Sequence, residues 1–211
     1  MTHSVTTLFL IIATIAVSMK AFNDRETTDK LKFNAYMVMK KKEYYRILSH
    51  ALIHNSWMHL GVNMFVLYSF GEVVETLFSF PELFPKTYYY GNFLYVMMYV
   101  LAAAFASVPA LLKHKNNHSY NAVGASGAVS AVAFASILLY PQGKIQFILF
   151  PFIDIPNVVF GLAYLGYSYY MSKNSRDNIA HDAHFAGAIF GLLFPILLNP
   201  SLFSRFIENI F

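Results

Sequence analysis

Cysteine is absent from the 211 residues. That removes disulfides, thiolate nucleophiles and cysteine-based zinc sites, and it leaves the redox compartment open. Charge is scarce too. Asp, Glu, Lys and Arg together make up 12% of the chain, about half their share in a soluble domain, so most of the surface cannot be facing water. No Pro/Ser/Gly-rich stretch marks a linker and no internal repeat is evident, so the length corresponds to one compact bundle rather than two domains. The basic run Lys40-Lys41-Lys42 with Arg46 is too brief to argue for a nucleic-acid surface.

What fills the chain instead is apolar. Hydrophobic residues make up 57%, above the ~45–50% of a soluble domain. Uncharged stretches run over Val5–Met19, Trp57–Gly71, Tyr88–Leu112, Ala122–Tyr140, Ile155–Ser172 and Ala183–Phe203, each near the ~20 residues that cross a bilayer core. They predict an all-α, polytopic bundle of six transmembrane helices, with Pro109 and Pro195 as kink sites. The first stretch reads as a retained span, because nothing basic precedes Val5 and no small-x-small cleavage pattern precedes Lys20. Lys20–Ser56, the longest polar segment, mixes Tyr36, Tyr44 and Tyr45 with lysines and is bordered by Trp57. Such residues anchor at headgroup depth, so an interfacial first loop with short helices is expected there.

A few polar groups lie inside or at the mouth of the apolar stretches, where unpaired ones are costly. His59 and Asn63 fall in the first turns of the second span, Ser126 near the start of the fourth and His184 near the start of the sixth. Even-numbered spans begin on one side of the membrane, so these four groups share a face and a depth. Small residues then bear on whether they meet. Gly124 and Gly127 flank the serine, and Gly187 and Gly191 form a G-x-x-x-G pair three and seven residues after His184. Facing stripes would bring the hydroxyl and imidazole within hydrogen-bond reach, as a base activating a nucleophile requires; simple helix packing with His184 bonded to a carbonyl is the other reading. Asp182 projects away from His184 on the same helix, which leaves a dyad rather than a triad. His59 and Asn63, four apart, can donate towards one developing oxyanion with the backbone N–H groups around Ser126, or Asn63 can merely bond a neighbouring helix. His50 and His54 have the spacing of zinc ligands but lack the glutamate of H-E-x-x-H, so no metal or cofactor is expected. With no Gly-Asp pair and no second intramembrane aspartate, an aspartyl intramembrane protease is not expected either.

The ordered set Arg46, His50-Ala51-Leu52-Ile53-His54, His59-Leu60-Gly61-Val62-Asn63, Gly71-Glu72-Val73-Val74-Glu75, Gly124-Ala125-Ser126-Gly127-Ala128 and Ala183-His184-Phe185-Ala186-Gly187 resembles the rhomboid family of intramembrane serine proteases. The resemblance implies a single rhomboid-like transmembrane domain over 1–211 that cleaves transmembrane protein substrates within the lipid bilayer. It implies a Ser126 nucleophile, a His184 base and an oxyanion site of His59, Asn63 and the Ser126 backbone. It also implies the plasma membrane of a prokaryote. The aromatic residue common in the family four positions after the serine is Ser130 here, so His184 is expected to lack that stacking partner. Loops on the side of the site hold 12 of the 15 Lys and Arg, which the positive-inside rule would turn towards the cytoplasm; the family implies the opposite face. The non-enzymatic alternative is a rhomboid-like chaperone or transporter that only binds transmembrane helices. Inactive relatives typically lose the serine or the histidine, and both are present here.

Overall fold

The computed structural model describes residues 4–147, 150–174, 177 and 179–210. Six helices follow the apolar stretches: α1 (Val5–Asn23), α5 (Trp57–Phe78), α6 (Gly91–His114), α7 (Ser126–Leu139), α8 (Asn157–Asn174) and α9 (His181–Leu198). Between α1 and α5 lie α2 (Arg25–Leu31), α3 (Ala35–Lys41), α4 (Arg46–Ser49) and a 3-10 turn, His50–Leu52. A short amphipathic helix, α10 (Ser201–Glu208), closes the chain.

By length and apolarity four segments can cross a membrane: α1, α5, α6 with its preceding turn, and α9. The other two fall short of the expected six spans for different reasons. The four tyrosines of α8 lower its hydropathy. The 14 residues of α7 extend only ~21 Å, less than the ~30 Å hydrocarbon thickness. The expected stretch from Ala122 is cut because Ala122 exchanges both backbone hydrogen bonds with Phe33 of the first loop, 2.9 and 3.1 Å, in a strand-like bridge. Gly124 then turns the chain with φ +121°, a conformation that favours glycine, and α7 begins two residues later.

From Gly127 to Leu138 every residue of α7 is buried, so this helix is the centre around which α5, α6 and α9 pack. Its small residues allow that. A Cβ on Gly187 would fall 2.0 Å from the Gly127 carbonyl oxygen, and one on Gly191 would fall 2.1 Å from that of Ala131. The α7 and α9 backbones are therefore in direct contact, and neither carbonyl can retreat without breaking its own helix. Gly191→Ala is accordingly expected to separate the helices at a cost of about 1–3 kcal/mol. Thermal unfolding in detergent tests this, and an unchanged melting temperature would refute the close contact.

On the far side of the bundle from Ser126, the buried Glu75 carboxylate accepts the N–H groups of Thr6 and Thr7 at 2.8 and 2.9 Å, and the Thr7 hydroxyl at 2.8 Å. Ser4 gives α1 no side-chain cap, so α5 supplies it, and the carboxylate sits at the positive end of the helix dipole. One element lies outside the all-α expectation. Between the fourth and fifth expected spans lies the antiparallel pair β1 (Lys144–Phe147) and β2 (Phe150–Pro156), which takes in Ile155 and Pro156 of the expected fifth span, with Asp154 bonded to Lys144 at 2.9 Å.

Candidate active site

The first loop braces the turn that presents Ser126. Arg46, buried, donates to the Asp29 and Lys32 carbonyls at 2.8 Å each and pairs with Glu43, tying α4 to the end of α2 and to the turn that follows α3. His54 does the same closer to the serine. Its Nε2 accepts the Ala125 N–H at 3.3 Å, so the proton of the neutral ring is on Nδ1, which faces Ser18 Oγ at 3.0 Å; that hydroxyl donates to the Leu52 carbonyl. His50 contributes its carbonyl to the Gly124 N–H at 2.9 Å. Both histidines act structurally here, clamping the residues just before Ser126.

Burial, the dominant cause, holds His50 and His54 at pKa values of about 4, below their ordinary 6.5. Above pH 6.5 both states of the protein carry neutral rings. Between about 6.5 and 4 the unfolded chain takes up protons that the folded one refuses, so stability falls as pH falls, by up to about 1.4 kcal/mol per pH unit and histidine. The melting temperature is expected to drop steeply from pH 6.5 to 4.5, and His54→Gln, which cannot titrate, to reduce that slope. Superimposable slopes would refute the assignment.

Ser126 opens α7, half-buried, and lines with His50, Gly124 and Ala183 a small, partly open cavity of about 30 Å³. His184, also half-buried, is in the first turn of α9, on the helix seated against Gly127. No hydrogen bond joins Ser126 Oγ to the imidazole among the described residues. Two links nevertheless bring His184 close to the serine's turn. The Gly127 backbone lies against Gly187, and Tyr164 of α8 bonds Ser130, one turn after Ser126, at 2.7 Å while its ring lies 6.4 Å from the His184 ring at 23°. Asp182 accepts the Ala183 N–H at 2.9 Å. His181 is not the wet residue its position at the end of a polar loop suggests: it is 3% exposed and pairs with Asp177 at 3.2 Å.

The His59 ring lies on Gly124, where a Cβ would fall 2.6 Å from Cε1, so Gly124 is required both by its backbone angle and by this contact. His59 Nδ1 meets the Asn55 side-chain oxygen at 2.8 Å. The orientation of that amide decides which imidazole nitrogen carries the proton. Asn63, buried, donates one N–H to the His59 carbonyl at 2.9 Å within its own helix. Asn55 and Tyr164 were not singled out from the sequence. Asn55 had a signal in the i, i+4, i+8 series Asn55, His59, Asn63; Tyr164 sits among three other tyrosines of α8 and had none.

A family model for the rhomboid domain matches residues 41–201, well over half of the chain. The chain belongs to the rhomboid family. Among its relatives are a RHOMBOID-like protein 12, mitochondrial, of Arabidopsis thaliana, 26% identical over 191 residues (86% of this chain, 54% of the relative), and a Rhomboid-like protein 11, chloroplastic, of the same plant, 28% identical over 174 residues (78% and 56%). Rhomboid protein 1, mitochondrial, of Saccharomyces cerevisiae is 26% identical over 192 residues (88% and 52%). This rhomboid chain thus spans about half the length of the curated relatives it matches. It is a multi-pass membrane protein. The organellar names of these relatives lend nothing to the narrower expectation of a prokaryotic plasma membrane.

Proposed function

We propose that this rhomboid protein is an intramembrane serine endopeptidase acting on transmembrane segments of other proteins, with Ser126 as nucleophile and His184 as general base. The observation that carries the reading is the backbone contact of Gly127 with Gly187, which seats the helix bearing His184 against the turn bearing Ser126. With the two elements seated together, the imidazole takes the hydroxyl proton as Ser126 attacks the substrate carbonyl. Negative charge develops beside the start of α7, where unpaired N–H groups and the positive helix end favour it. The second Asn63 N–H adds a donor; His59 Nε2 joins it only with the Asn55 amide turned so that its NH₂ rather than its oxygen faces Nδ1. Proton return from His184 to the leaving amine, then attack by water, completes the cycle.

A substrate helix must expose a carbonyl to be attacked, and Gly or Pro near the cleaved bond lowers that cost. We place the site on the face opposite the cytoplasm despite the Lys/Arg bias, since Arg46 is buried within the first loop rather than free.

The test is covalent labelling of the detergent-solubilised protein by a fluorophosphonate, alongside cleavage of a transmembrane reporter. Labelling at Ser126 with cleavage is expected. Reporter binding with neither labelling nor cleavage would favour the helix-binding chaperone instead. Asn63→Ala should lower kcat by about 10²- to 10³-fold if its amide is a main oxyanion donor; unchanged turnover would reduce Asn63 to its bond with His59.

A further inference from the structure

The position from which an aromatic ring was expected to face His184 is occupied by Ser130, yet His184 does have an aromatic neighbour. Tyr164 comes from a different helix, α8. Its hydroxyl and the buried Ser130 Oγ are 2.7 Å apart. Its ring is near-parallel to the imidazole, 6.4 Å between centroids at 23°, within the range of offset stacking. Phe134 and Phe160 hold the same ring from other sides, at 5.5 and 6.0 Å. The ring is thus fixed at its hydroxyl and restrained around its faces, and the imidazole lies near-parallel and offset beside it. A base with no carboxylate partner needs another source of orientation, since its χ2 torsion is broad and free rotation would disperse the proton-accepting nitrogen.

We propose that Tyr164, pinned by Ser130, is the positioning residue that sets the His184 imidazole, so that α8 rather than α7 supplies the platform for the base. The proposal rests on the reading of His184 as base. It also explains why the loss of an aromatic at 130 is compatible with an active site: a serine there is small enough to admit the Tyr164 ring and polar enough to bind its hydroxyl. In α8 only Asn157, Gly161 and Ser168 are buried among residues with described burial. Gly161, one turn before Tyr164, permits the approach: a Cβ there would meet Ile137 of α7 at 3.2 Å.

The test uses the full chain in detergent with histidine labelled at ¹³Cε1, the His184 signal being identified by its loss in His184→Ala. In the parent protein that resonance should be displaced by the tyrosine ring, and in Tyr164→Leu it should move towards the free-imidazole position. In the same variant kcat and the fluorophosphonate labelling rate should both fall about 10- to 100-fold with KM little changed, the loss expected for a misplaced reacting group. Tyr164→Phe and Ser130→Ala each remove one end of a single hydrogen bond and should each cost about 3- to 10-fold. Combined, they should cost no more than either alone. A folded Tyr164→Leu with an unmoved His184 resonance or parental kcat would overturn the proposal, as would additive losses in the double variant. If the parent protein neither cleaves nor labels, the protease reading fails, and the resonance alone decides whether Tyr164 orients the ring.

Discussion

Ser126→Ala is expected to abolish cleavage of a transmembrane reporter, a loss of at least about 10⁴-fold, while leaving the protein folded. Removing the nucleophile of a serine hydrolase leaves only binding and oxyanion stabilisation, which cannot replace the covalent route. The fold should tolerate the change. Ser126 is half-buried, and among the described residues its hydroxyl has no hydrogen-bond partner that the substitution would orphan. The start of α7 is held instead by the Ala125 N–H on His54 and the Gly124 N–H on His50, and neither contact uses the serine side chain. The melting temperature should therefore stay close to the parent, with a change within about 1 kcal/mol. Purified Ser126→Ala that still cleaves would sink the nucleophile assignment, and loss of both activity and folding would give the hydroxyl a structural role that the geometry does not assign it.

The second large effect separates two neighbouring histidines. His184→Ala should be inactive, again by at least about 10⁴-fold, and nearly as stable as the parent. His181→Ala should show the reverse: substantial activity, with stability lower by about 1–3 kcal/mol. The two rings lie 5.9 Å apart, so distance alone does not choose between them. Their surroundings do. His181 is buried, bonded to Asp177 and in edge contact with Tyr167 at 5.5 Å, so it is committed to holding the start of α9. His184 is partly open, lies three residues before the Gly187 contact and faces Tyr164. Initial rates and unfolding curves of both variants decide the matter; an active His184→Ala beside a well-folded, inactive His181→Ala would transfer the base to His181.

Much of the architecture is legible in the chain alone because bilayer and helix periodicities are local rules. Apolar length located the starts of α1, α5, α6 and α9 to within about three residues and their ends less closely, since hydrocarbon tolerates no unpaired backbone. The parity of the spans put His59, Asn63, Ser126 and His184 on one face before any contact was known. The small-residue stripes identified which surfaces of α7 and α9 could approach, because only glycine admits a backbone carbonyl where a Cβ would stand. Tyr36, Tyr44, Tyr45 and Trp57 pointed to an interfacial first loop with short helices, though not to the two carbonyls that Arg46 binds.

Other features were settled only when distant segments met. The start of α7 was shortened by the pairing of Ala122 with Phe33, a contact that no window around residue 122 contains. The cap of α1 comes from Glu75, 68 residues beyond Thr7, and the brace on Ala125 from His54, 71 residues before it. The hairpin at β1 and β2 carries a register irregularity and breaks the even alternation that marks a strand. Tyr164 reaches Ser130 across 34 residues and a change of helix. In each case the sequence determined what a residue can do, through its polarity, size and helical neighbours. The tertiary structure decided which partner it does it with, because hydrogen-bond and ring geometry depends on positions in space that chain spacing does not record.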